Sequence, residues 1–166
     1  MKRIIYLSLF ILLFALLGSI TVFSFSSAPE QPIKYSHKAH IDQGLECDEC
    51  HIYVKTQTFA SIPKISKCLE CHEDAITESK EEEKIRTIAS KGGELHWKRV
   101  FRLPSHVFFS HRRHVAVGKV ECVECHGEMW KLTEPPKKPL KTLVMEDCIN
   151  CHIKRNVAWD CIDCHK

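Results

Sequence analysis

The sequence predicts a mainly α-helical fold of a few short helices and extensive loops, preceded by one N-terminal transmembrane helix. Three observations carry this expectation. All ten cysteines of the 166-residue chain fall into five copies of Cys-x-x-Cys-His, beginning at Cys47, Cys68, Cys122, Cys148 and Cys161. No stretch of useful length alternates apolar and polar residues as a half-buried strand does. Beyond the first 25 residues long apolar runs are scarce, so the interior has to come from something other than a conventional core.

The repeated motif is the signature of covalent c-type haem attachment. Its two thiols, at i and i+3, add across the vinyl groups of one haem, and the adjacent histidine lies where its imidazole can bind the iron. The attachment pairs are then Cys47 and Cys50, Cys68 and Cys71, Cys122 and Cys125, Cys148 and Cys151, and Cys161 and Cys164, with His51, His72, His126, His152 and His165 as proximal ligands. Five motifs imply five covalently bound haem c groups. Zinc ribbons and disulfide frameworks also use paired cysteines, but neither requires a histidine after the second cysteine of every pair. A thioredoxin-type redox motif is needed once per domain beside a strand-to-helix turn, and that context is missing here.

The N-terminus reads as a membrane-targeting element: Lys2 and Arg3, then a nearly unbroken apolar run from Ile4 to Phe25. At about 1.5 Å per residue such a run covers the ~30 Å hydrocarbon core, whereas a cleaved signal has an apolar region of about 7–15 residues. Length favours a retained anchor over residues 1–28. Cleavage is the alternative, at Ser24-Phe25-Ser26 or Ser26-Ser27-Ala28. The positive residues before the run place the N-terminus in the cytoplasm and the remainder on the periplasmic side of the inner membrane.

Two blocks of the remaining chain share one grammar. Tyr35-Ser36-His37-Lys38-Ala39-His40 stands six residues before Cys47, and Phe109-Ser110-His111-Arg112-Arg113-His114 stands seven residues before Cys122. This marks an internal duplication or the reuse of one module, giving a first module over 29–75 with two attachment sites and a second over 96–166 with three. Between them, residues 76–95 read as an exposed, charged connecting helix with Ile85 and Ile88 on one side, ended by Gly92-Gly93. Glu134-Pro135-Pro136-Lys137-Lys138-Pro139 forms an extended loop.

The formal charge of +3 does not make this a basic protein once haems are counted. Ten propionates contribute about −10 and five ferric cores about +5, leaving the oxidised form near −2 and the reduced form near −7. Nucleic-acid binding therefore has no support.

Six histidines remain for the distal side of the irons: His37, His40, His96, His106, His111 and His114. Two imidazoles per iron close both axial positions, and such a haem carries electrons without binding substrate. Histidines three apart on one helical turn diverge enough to reach two different irons. His37, His40, His111 and His114 are thus four distal candidates. His106 is the choice for the fifth, with His96, Met129 and Met145 as alternatives. Trp97, Trp130, Trp159 and Phe109 are expected to pack on porphyrin faces.

His-x-x-His pairs upstream of Cys-x-x-Cys-His resemble the class III multihaem cytochromes c. The likeness extends over the apolar N-terminus, the two-plus-three grouping, Trp97-Lys98-Arg99-Val100, Leu103-Pro104-Ser105-His106-Val107-Phe108-Phe109-Ser110-His111, Cys125-His126-Gly127 and Met145-Glu146-Asp147-Cys148. That run is similar to the membrane-anchored pentahaem subunits of alternative complex III and menaquinone reductase type complexes. The resemblance implies a small multihaem cytochrome fold organised around five haems. It also implies an anchored electron-transfer subunit, itself without a catalytic site, working beside quinone-reactive and iron-sulfur membrane subunits or another cytochrome. Two features depart from the family pattern: Glu146-Asp147 stands where glycine and an aromatic are expected, and His96 is an extra histidine.

Overall fold

Attachment helices are short because each has one task, to bring two thiols and an imidazole onto one turn. In a computed structural model, which describes residues 30–165 together with Tyr6 and Phe10, seven α-helices are seen among the described residues: α1 (His37–Ile41), α2 (Cys47–Cys50), α3 (Ile65–His72), α4 (Lys80–Ser90), α5 (Cys122–His126), α6 (Met145–Lys154) and α7 (Cys161–Cys164). A π-helical turn spans Arg112–Val117 and a 3-10 turn spans Met129–Lys131. The described residues form no strand, only the isolated antiparallel bridge between Val107 and His165. The expected N-terminal anchor or signal lies outside the described residues, and among the described residues no helix is long and apolar enough to cross a membrane.

Three of these helices start on an acidic side chain at the third helical position. Glu49 accepts from Glu46 N–H at 2.9 Å, Asp147 from Val144 N–H at 3.0 Å and Asp163 from Asp160 N–H at 3.0 Å. Each satisfies an amide that the first turn leaves without a partner. In α2 and α7 the first residue is the first cysteine of the motif, so the cap also sets where the thiols point.

The longest helix, α4, is capped by Ser79, whose hydroxyl accepts from Glu81 N–H at 3.3 Å. It ends in a Schellman motif: Gly93 N–H reaches Ile88 O and Gly92 N–H reaches Ala89 O, both at 2.9 Å, with Gly92 at φ +67°. The helix is more than an exposed connector. Ile85 is buried with Ile33, Ile65 and Leu95, and Ile88 and Ala89 pack against that cluster. Trp97 joins it as well, edge-on to Tyr35 at 6.4 Å, so this tryptophan packs on protein rather than serving only a porphyrin face.

The two modules are joined reciprocally. Lys38 N–H in the first donates to Leu132 O in the second at 2.9 Å, while His111 and Arg112 N–H in the second donate to Thr58 O and Gln57 O in the first, both at 3.0 Å. Each His-x-x-His segment is thus held by backbone of the other module.

Candidate haem centres

The two aromatic-Ser-His-x-x-His blocks fold to the same local geometry. Tyr35 lies edge-on to His37 at 5.0 Å and stacks on His40 at 4.4 Å; Phe109 lies edge-on to His111 at 4.9 Å and stacks on His114 at 4.5 Å. In both, the second histidine sets Nδ1 against the serine carbonyl at 2.8 Å, Ser36 O for His40 and Ser110 O for His114. One aromatic ring therefore orients two imidazoles that point apart. The second block has one residue more before its cysteine, and the π-helical turn is where it is taken up. Gly118 N–H bonds five residues back to Arg113 O at 2.8 Å, and a wider turn absorbs one residue without moving the ends.

The upstream histidines face the motif histidines in pairs. Ring centroids are 6.0 Å apart for His40 and His72, 6.3 Å for His111 and His126, 6.0 Å for His114 and His152, and 5.4 Å for His106 and His165. Metal–imidazole bonds of about 2.0–2.1 Å on both sides of one ion put ring centroids about 6 Å apart, so this spacing fits an iron between each pair. Burial first, then His51 and His40, lower the His37 pKa to about 4, which keeps the imidazole neutral as a metal ligand must be.

Non-covalent contacts fix the unused nitrogens. His51 Nδ1 meets Ser61 O at 2.7 Å, His111 Nδ1 meets Thr58 O at 3.1 Å and His152 Nδ1 meets Ala158 O at 2.6 Å. These contacts commit Nδ1 to a carbonyl and leave Nε2 for the iron. Ser61 turns its carbonyl inward from a left-handed backbone at φ +71°, a conformation a non-glycine residue adopts at some cost.

His106 reaches His165 because Val107 bridges His165 and Phe108 N–H donates to Cys164 O at 2.7 Å. His96 is exposed and lines a shallow surface recess with Ile62, Pro63, Lys64, Glu94, Leu95 and Trp97. Met129 opens the 3-10 turn and Met145 is exposed at the start of α6.

Among the described residues no group of three or more His, Cys, Asp or Glu side chains converges as a protein-only metal site does. Burial, then the neighbouring Cys122 sulfur, pushes the Cys47 thiol up to about 11. Burial and then Cys50 raise Cys68; burial, then Cys148 and Cys151 against the opposing Lys141, raises Cys125; burial and then Cys164 raise Cys148. These influences put Cys68 in the neighbourhood of Cys50, Cys47 of Cys122, Cys125 of Cys148 and Cys151, and Cys148 of Cys164.

Glu82 and Tyr35 are the residues sequence reasoning passed over. Tyr35 carried a signal, its equivalence to Phe109 at the same offset. Glu82, between two other glutamates, carried none.

Short helices bearing Cys-x-x-Cys-His, four of them faced by an upstream histidine, define a multihaem c-type cytochrome, and the chain belongs to the cytochrome c3 family. The family model for cytochrome c3 matches residues 39–128, and that for cytochrome c7 and related cytochrome c matches residues 107–166. Among characterised proteins, the chain is similar to the multihaem cytochrome c subunit of menaquinone reductase from Nitratidesulfovibrio vulgaris strain Hildenborough. It is 31 % identical to that subunit over 149 residues, covering 78 % of this chain and 71 % of the relative.

Proposed function

We propose that this protein is a pentahaem electron-transfer subunit of a membrane quinol/quinone oxidoreductase, anchored by its N-terminal segment with the haem domain on the periplasmic side. The observation that carries the reading is the facing of motif and upstream histidines: His72 with His40, His126 with His111, His152 with His114 and His165 with His106, which leaves His37 as the partner we assign to His51. Each haem c, when bound, supplies a one-electron ferric/ferrous couple. With haem bound, these histidine pairs would hold the iron from both sides, which favours relay over substrate chemistry.

The order of neighbouring thiols supports a relay running from the Cys68/Cys71 site through Cys47/Cys50, Cys122/Cys125 and Cys148/Cys151 to Cys161/Cys164. The first module thus reverses chain order, which puts its first site against the second module. The relationship to a menaquinone reductase subunit supports quinone-reactive and iron-sulfur subunits as partners.

Gentle solubilisation of membranes, followed by native electrophoresis with haem staining, tests the assignment to a complex. The haem band is expected to migrate with large hydrophobic subunits; migration alone overturns it. Electron paramagnetic resonance of the oxidised protein is expected to show low-spin haem only. A His106→Ala variant should gain one high-spin haem, and His96→Ala should gain none.

A further inference from the structure

Glu82 is the one charged side chain buried among the described residues, at 5 % exposure. Its carboxylate accepts from Ile76 N–H at 2.6 Å, Thr77 N–H at 3.0 Å, Thr77 Oγ1 at 2.6 Å and Arg86 Nη1 at 3.0 Å. Those donors, the Thr77 hydroxyl first and the Ile76 amide next, hold the carboxyl far below the usual carboxylate range. The open side faces a candidate iron ligand: Oε1 lies 3.3 Å from His72 Nδ1, in ion-pair range and off the line of a good hydrogen bond. Tying down the loop before α4 requires Ile76 and Thr77 but not His72, so the contact needs its own account.

Elsewhere the Nδ1 partners are neutral. His40, His51, His111, His114 and His152 each set Nδ1 against a backbone carbonyl, of Ser36, Ser61, Thr58, Ser110 and Ala158 respectively. A full negative charge beside Nδ1 makes an imidazole a stronger donor and favours the ferric iron it binds. The effect is Coulombic and survives imperfect alignment in a poorly solvated site.

We propose that Glu82 is a positioning residue that lowers the reduction potential of the haem at Cys68 and Cys71 and sets this end of the relay apart from the other four sites. The inference rests on His72 being an iron ligand, as proposed above. Arg86 opposes the effect by neutralising part of the charge.

The test uses the full-length haem-loaded protein, with spectroelectrochemical titration and electron paramagnetic resonance g-values read for each variant. Glu82→Gln keeps the shape and removes the charge. One of the five couples should then favour the reduced form about tenfold more, which for one electron is about 59 mV, and one set of g-values should move. Arg86→Gln should move the same couple the opposite way. Glu83→Gln, which removes an equal charge from the exposed face of α4, should move it far less.

Five unmoved couples in Glu82→Gln, or equal shifts in Glu82→Gln and Glu83→Gln, overturn the proposal. If Glu82→Gln does not accumulate, Arg86→Gln decides, and an unmoved couple there overturns it equally. Failure of the underlying reading looks different: the unsubstituted protein itself would show a high-spin haem or fewer than five haems.

Discussion

Residues 30–95 and residues 96–165 carry the same attachment motif on different interiors. Every buried side chain among the described residues, Ile33, Val54, Ile65, Glu82, Ile85 and Leu95, lies in the first region. In the second none is buried, and large apolar side chains such as Val144, Ile153, Trp159 and Ile162 stand exposed on the protein surface. The first region has a long helix to close a small apolar cluster over two sites. The second has a helix of similar length, α6 (Met145–Lys154), but no buried apolar cluster for it to close. A cytochrome of this class can thus draw its interior from protein in one half and leave it to porphyrin in the other.

The sharpest way to break this contrast is to remove attachment at one site in each region. Cys148→Ala with Cys151→Ala should abolish protease-resistant protein in the second region. Cys68→Ala with Cys71→Ala should lower yield several-fold yet leave a resistant fragment containing α3 and α4. Limited proteolysis with haem staining distinguishes them, and equal loss in both would show that the two interiors are not different in kind.

Next in size is Ile85→Ala, which opens the cluster formed with Ile33, Ile65 and Leu95 and should cost about 2–5 kcal/mol. Glu83→Ala, on the exposed face of α4, should stay within about 0.5 kcal/mol. Denaturant unfolding of the haem-loaded protein followed in the Soret band measures both.

Backbone substitutions sharpen the picture within the second region. Gly127 follows His126 at φ +72° and ψ −166°, and a Cβ there would stand 3.1 Å from Leu140 Cβ. Gly127→Ala should cost of order 1–3 kcal/mol by the same unfolding assay. Gly44→Ala in the first region, at φ +87° with open space around it, should cost less because only the dihedral is strained.

The smallest effect is expected at the ion pair between Lys34 and Glu134, which joins the two regions at 3.6 Å with both side chains mostly exposed. Glu134→Ala should change stability by about 0–1 kcal/mol and by less as salt rises. A larger loss would mean that the regions lean on surface charge rather than on the backbone hydrogen bonds between them.

Local chemistry was legible in the sequence and long-range selection was not. The attachment turns, the two aromatic-Ser-His-x-x-His blocks and the glycine end of α4 each depend on residues within a few positions of one another. The cluster of Ile33, Ile65, Ile85 and Leu95 is assembled from residues some 60 positions apart, none in an apolar run, so periodicity could not find it. His106 and His96 look alike along the chain. What separates their surroundings is the contact of residues 107 and 108 with 164 and 165. In Glu81-Glu82-Glu83 only packing against α3 decides which carboxylate leaves water.

The reciprocal backbone contacts between modules have a consequence in time. A ribosome delivers residue 38 long before residue 132, yet the protein partner of Lys38 N–H is Leu132 O. The first His-x-x-His turn therefore waits, incompletely held, until most of the chain has been made. Maturation of the earliest site is then coupled to arrival of a segment some 90 residues later, and truncation ahead of Leu132 should be felt at the opposite end of the polypeptide.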